Sequence, residues 1–206
     1  MYSEEQVLNT FRQEDYQNHL INQIKKHHSI YKTPIDGIYF EELINNGLEY
    51  FGIETDWNPL DKSHKQGVDI CGYSLKTCRL KNKKFSITSF RTTSQKTLDD
   101  KLKYINEIGD GITGYVVCMK EFDKKTTDLK YMIYQFDHGI DFLDVTNYSW
   151  KQTDSGYTGT FENYIAKITY SMSHQLIFSN LELEKIQKNE KCHLLCGFQT
   201  NIGEMK

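Results

Sequence analysis

A chain of 206 residues can form one domain with a sizeable core, and 14 Tyr with 11 Phe against only 2 Pro exclude a disordered or Pro-rich polymer. No apolar run reaches the length of a membrane span, and the polar start Met1-Tyr2-Ser3-Glu4-Glu5 lacks the apolar stretch of a signal peptide, so a cytoplasmic protein is expected. A net charge of −3 argues against a general nucleic-acid coat protein.

Ser3 followed by Gln6 has the form of a capping box, and Leu8, Phe11, Leu20, Ile21 and Ile24 predict a helical region to about Lys26, interrupted near Asp15. Thr33-Pro34-Ile35-Asp36-Gly37 breaks the chain. Phe40, Ile44, Leu48 and Phe51 then form a helical stripe that Gly52 ends. Glu41 borders that stripe, whereas Glu42 aligns with Asn45, Asn46 and Glu49, so Glu41 is the acid expected to look inward.

A polar loop from Trp57 to Gln66 leads into Gly67-Val68-Asp69-Ile70-Cys71-Gly72-Tyr73-Ser74-Leu75-Lys76-Thr77. With Cys71-Gly72 as a two-residue hairpin loop, Ile70 pairs with Tyr73 and Asp69 with Ser74. Asp69, Ser74 and Lys76 would then share one face while Val68, Tyr73 and Leu75 pack on the other. Phe85 to Phe90 alternates as the next strand, giving three antiparallel strands in a row. Thr97 to Ile108 reads as a helix stopped at Gly109. Thr113 to Phe122 and Leu129 to Phe136 are apolar strands about the turn Asp123-Lys124-Lys125. The predicted fold class is mixed α/β (α+β), a central mixed sheet flanked by helices.

The signal weakens after Gly156. Phe161 to Tyr170 suits a strand or a helix, Gln175 to Phe178 is a short apolar run, and Leu181 to Lys191 is polar enough for a surface helix. Ser171-Met172-Ser173-His174-Gln175 offers side chains able to bond base edges or phosphates, although a satisfied turn is the commoner role. The five cysteines, at 71, 78, 118, 192 and 196, are odd in number and scattered, which suits reduced thiols. Cys192-His193-Leu194-Leu195-Cys196 has no second ligand pair at zinc-site spacing.

Charge is unevenly placed. From Lys76 to Lys103 nine basic residues face only Asp99 and Asp100, the footprint expected where a phosphate backbone is held. Lys81-Asn82-Lys83-Lys84 alone is better read as a solvated hairpin tip. Arg79 and Arg91 are placed to grip phosphates, with Lys83 and Lys84 beside them. The chemistry that the arrangement of Asp69, Ser74 and Lys76 fits is hydrolysis of a phosphodiester with Mg²⁺, which takes few carboxylates plus carbonyls, waters and substrate oxygens. Asp69 would be its anchoring ligand, the Leu75 carbonyl a second, and Glu41 a further carboxylate. Lys76 would orient the attacking water, and Ser74 would be a hydrogen-bonder rather than a nucleophile.

A helix with an inward Glu, then Gly-Val-Asp-Ile, a tight turn and Ser-Leu-Lys, resembles the PD-(D/E)xK nucleases, in particular type II restriction endonucleases. Asp69, Lys76 and Glu41 match that pattern over about residues 37–93. The chain departs from it at Gln66-Gly67-Val68, which replaces the usual proline, and at Ser74, which stands where an acid is normal. The resemblance implies a restriction-endonuclease-like fold and a single nuclease domain over 1–206, with a catalytic core at about 37–136. It implies Mg²⁺-dependent cutting of double-stranded DNA by a homodimer, with 137–206, including Ser173, His174 and Gln175, left by elimination for recognition and dimerisation. The alternatives are a DNA-binding module of the same fold that does not cut, and a less specific repair or defence nuclease.

Overall fold

The computed structural model describes residues 2–58, 67–92, 95–170 and 174–203. Helix α1 (Glu4–Phe11) opens with the expected capping box, Ser3 and Gln6 each bonding the other's backbone. The single helical region expected to Lys26 is instead two, because Gln13 takes an extended conformation and starts α2 (Glu14–Ile30). The acids Glu14 and Asp15, read as an interruption, occupy the first turn of α2, where the helix dipole favours them. Phe11 packs edge-on against Tyr16 at 5.4 Å, joining the two helices across the break. Helix α3 (Ile38–Tyr50) follows.

Strands β1 (Tyr73–Arg79) and β2 (Lys84–Arg91) precede helix α4 (Leu98–Gly109), capped by Thr97. Then come β3 (Gly114–Phe122), β4 (Asp128–Asp137) and two 3₁₀ turns, Asp141–Leu143 and Val145–Asn147. The chain continues through β5 (Ser149–Thr153), β6 (Gly156–Phe161), β7 (Tyr164–Thr169) and β8 (Gln175–Glu182) to α5 (Leu183–Lys188) and β9 (Cys192–Asn201). The stretch 161–170 is therefore mostly strand, and of 181–191 only six residues are helical.

The α+β class holds, but one central sheet does not: among the described residues there are two, ordered β1-β3-β4-β9 and β2-β8-β7-β6-β5. The expected three-strand antiparallel run is corrected as well. Ile70 contributes a single bridge, to Tyr73, and among the described residues the link between the β1 and β2 segments is the Lys81↔Lys84 bridge in the turn that follows β1. β1 pairs parallel with β3, with α4 in the crossover, whereas β2 pairs antiparallel with β8.

The divergence gives the first sheet two covered faces. Val116, Cys118, Tyr131 and Ile133 pack on Leu20, Ile24, Ile44 and Leu48 of the helices. On the other face, Val117, Met119 and Phe136 meet Ile105 of α4 and Ile87, Ala166 and Phe178 of the second sheet. A strand buried on both sides reads as a continuous apolar run, which is how β3 reads. Gly114 is needed there, since a Cβ would lie 2.3 Å from the Phe136 carbonyl oxygen.

The loop between α2 and α3 is fixed to this sheet from beneath. The Ile35 amide donates to the Tyr131 hydroxyl (2.8 Å), which also meets His28 Nε2 (2.9 Å). Lys120, a buried β3 residue, donates to the Ile35 carbonyl at 3.0 Å and pairs with Asp36 at 2.9 Å.

Candidate active site

The turn before β1 has the expected two-residue loop. Cys71 (φ 49°) and Gly72 (φ 83°) both lie in the left-handed region, as a type I′ turn requires. Tyr73 N–H donates to the Ile70 carbonyl (2.8 Å), and the amides of Ile70 and Asp69 donate back to Tyr73 (3.1 and 2.9 Å). The loop is held from outside as well. The Cys71 amide donates to Asp56 Oδ1 at 2.8 Å, the Thr113 amide donates to the Gly72 carbonyl at 2.9 Å, and a Cβ on Gly72 would come within 2.4 Å of Thr113 Oγ1. Cys71 is fully buried, and burial pushes its thiol up to about 11, which makes it a packing residue rather than a nucleophile.

Among the described strands β1 is an edge strand, with β3 on one side only. Asp69 occupies the open side: its Oδ2 accepts the Leu75 amide at 2.6 Å and meets Lys76 Nζ at 3.4 Å. The carboxylate and ammonium side chains are 28% and 21% exposed, so the pair is partly desolvated yet reachable. The Leu75 carbonyl points to the same side as its N–H, as strand geometry dictates. Asp69 and the Leu75 oxygen therefore share one edge.

Ser74 does not join them. The expected face of Asp69, Ser74 and Lys76 is replaced by an edge arrangement, since Asp69 lies outside any strand and reaches β1 through its side chain. Ser74 is fully buried, and its Oγ has no partner among the described residues. Side chains alternate along a strand, so Ser74 and Cys78 turn toward the second sheet. Lys76 leaves the same face because its long stem lets the ammonium reach the edge.

Glu41 is half-buried and Glu42 exposed. Glu41 Oε2 accepts the Trp57 indole N–H at 3.3 Å. Among the described residues no three His, Cys, Asp or Glu side chains gather as a metal cage. What is present is one carboxylate beside one carbonyl oxygen, a partial set of the kind Mg²⁺ completes with water and phosphate oxygens.

The nominated DNA contacts fall into two groups. Arg91 is exposed at the end of β2, paired in register with Gln175, and the carbonyl of neighbouring His174 accepts both the amide (3.1 Å) and the hydroxyl (2.8 Å) of Thr92. Lys83 and Lys84 lie at the opposite end of β2, where Lys83 meets Glu184 at 2.7 Å and Lys84 meets Glu182 at 3.6 Å. Arg79 is exposed at the end of β1, and Ser173 lies outside the described residues.

Lys101 was not singled out by sequence. It is 1% exposed, and its ammonium donates to the carbonyls of Thr92 (2.7 Å) and Gln95 (2.5 Å) and meets His174 Nδ1 at 3.2 Å. It thus ties the loops flanking Arg91 and Gln175 to α4, and burial holds its pKa below the usual lysine value. The clue in the sequence is its place on the inward stripe, three residues after Leu98 and four before Ile105. No family model matches the chain, and comparison with curated proteins and with solved structures found no similar protein.

Proposed function

We infer that the chain is a Mg²⁺-dependent endonuclease acting on double-stranded DNA, of the type II restriction kind that the motif resembles. The observation that carries this reading is the Asp69–Lys76 pair, 3.4 Å apart and partly exposed on an open strand edge. Asp69 and the Leu75 carbonyl would hold the metal, with Glu41 the acid nearest in sequence logic. Bound there, Mg²⁺ would neutralise phosphate charge and lower the pKa of a coordinated water. Lys76 offsets negative charge on the phosphate and orients the attacking water. The Leu75 amide fixes the Asp69 carboxylate, so the acid does not have to be ordered when substrate arrives. Arg91 and Gln175, held by the Lys101 clasp, are suited to grip DNA beside the cut. A homodimer would match a two-fold symmetric site and cut both strands.

One observation favours a second reading, a DNA-binding module that does not cut. Ser74 replaces the motif's acid and is sealed in the core, and among the described residues Asp69 is the one carboxylate paired with Lys76. Incubating the purified protein with mixed-sequence plasmid and Mg²⁺ separates the readings. Discrete fragments that vanish in Lys76→Ala support the restriction nuclease, a smear or nicked circles a less specific nuclease, and gel retardation without cutting the binder.

A further inference from the structure

The junction of α2 and α3 carries an exposed aromatic platform that the Asp69–Lys76 edge does not use. Tyr31 is 51% and Tyr39 55% exposed. Their ring centroids are 6.5 Å apart with planes inclined by 37°, and the His27 ring stands 5.1 Å from Tyr31 and 6.0 Å from Tyr39. Buried aromatic groups are ordinary core, but here two exposed tyrosine rings lie beside the half-buried His27 ring outside the core, and the outer faces of the tyrosines are open to solvent.

Along the α2 side of the rings the charge is of one sign. From Tyr16 to Ile35 the chain holds Lys25, Lys26 and Lys32 and no acid. Lys25 is drawn away over the Phe198 ring, whereas Lys26 and Lys32, both exposed, are the chain neighbours of His27 and Tyr31. Glu42, one turn beyond Tyr39, borders it on the α3 side. Asp36, the acid between the helices, is paired with Lys120. It also accepts the Thr77 hydroxyl, which ties the platform's base to the residue after Lys76 on β1.

We propose that Tyr31, Tyr39 and His27 form a stacking site for unpaired bases of a nucleic acid whose backbone lies along Lys26 and Lys32. Stacking needs an open base face, which a duplex interior denies and a single strand or displaced end supplies. The loop beneath is already fixed by the Tyr131 hydroxyl and by Lys120, so little order is lost on binding. This deepens the nuclease reading and rests on it for the class of ligand. It adds that the protein holds a single-stranded stretch next to the strand that carries Lys76.

The test is fluorescence anisotropy with labelled oligothymidylate and with a duplex of equal length, using the full chain. Wild-type protein binds the single strand, Tyr31→Ala weakens that binding about tenfold and the double variant Tyr31→Ala/Tyr39→Ala weakens it further. Tyr31→Trp and Tyr39→Trp retain it, which separates stacking from the hydroxyl group and covers the case of a poorly folded alanine variant. Equal affinity of wild-type and double-alanine proteins for oligothymidylate overturns the proposal, as does a dimer in sedimentation that the alanines dissociate. Tyr-dependent binding without any plasmid cutting upholds the site and sinks the nuclease, whereas Lys76-dependent cutting with Tyr-independent binding does the reverse.

Discussion

Two type I′ turns, at Cys71-Gly72 and Asn82-Lys83, bracket β1 with the same backbone geometry and opposite surroundings. The first is buried, roped to Asp56 and Thr113, and delivers a carboxylate to a lysine on an open strand edge. The second is exposed, and its lysines are met by Glu184 and Glu182. Turn geometry alone therefore does not make a site. What distinguishes the first is the set of groups that fix it from outside and the charge left reachable afterwards.

The largest expected effect breaks the pair itself. Lys76→Ala should lower the plasmid cutting rate at least about a hundredfold, the scale of losing one preorganised charge at a phosphoryl centre. Asp69→Asn should do the same while keeping an acceptor for the Leu75 amide, so its melting temperature should stay close to wild type. A fully active Asp69→Asn protein would sink the assignment. Alongside it stands the choice of acid: Glu41→Ala should lose cutting to a similar degree and Glu42→Ala should retain it, read in the same assay. The reverse result would move the second carboxylate to the solvent face of α3. By contrast, Lys83→Ala and Lys84→Ala should leave cutting near wild type, because their charges are already answered by glutamates.

Local rules made much of this visible in advance. Ser3 and Gln6 announce α1, the Phe40-Ile44-Leu48 stripe announces α3, Thr97 announces α4, and Cys71-Gly72 announces its turn, because each depends on residues within a few positions. The partner of β1 did not show. Its pairing with β3 forms across a helix some forty residues on, and the same apolar alternation would have served an antiparallel ribbon. That single non-local choice turned Ser74 into the core and set Asp69 on an edge instead of a face. Strand β9 was hidden similarly, since Cys192 to Asn201 alternates weakly and gains its identity from β4. Lys101 was missed because a lysine on an apolar stripe looks like an interruption until three acceptors surround it.

The turns can also be compared by stability. Gly72→Ala places a Cβ at φ 83° and against Thr113, and should cost about 1–3 kcal/mol in urea unfolding. Asp56→Ala leaves the buried Cys71 amide without its acceptor and should cost about 1 kcal/mol by the same measurement. The smallest effect has the opposite sign. Lys83 sits at φ 61° with a side chain that disfavours that conformation, so Lys83→Gly relieves the backbone at a position where glycine is at ease. The change also removes the Glu184 contact, but that pair is 75% and 62% exposed and surface pairs of this kind add little. Relief should therefore outweigh the lost pair and raise the melting temperature slightly. A fall would mean that the exposed turn, like the buried one, is held chiefly from outside.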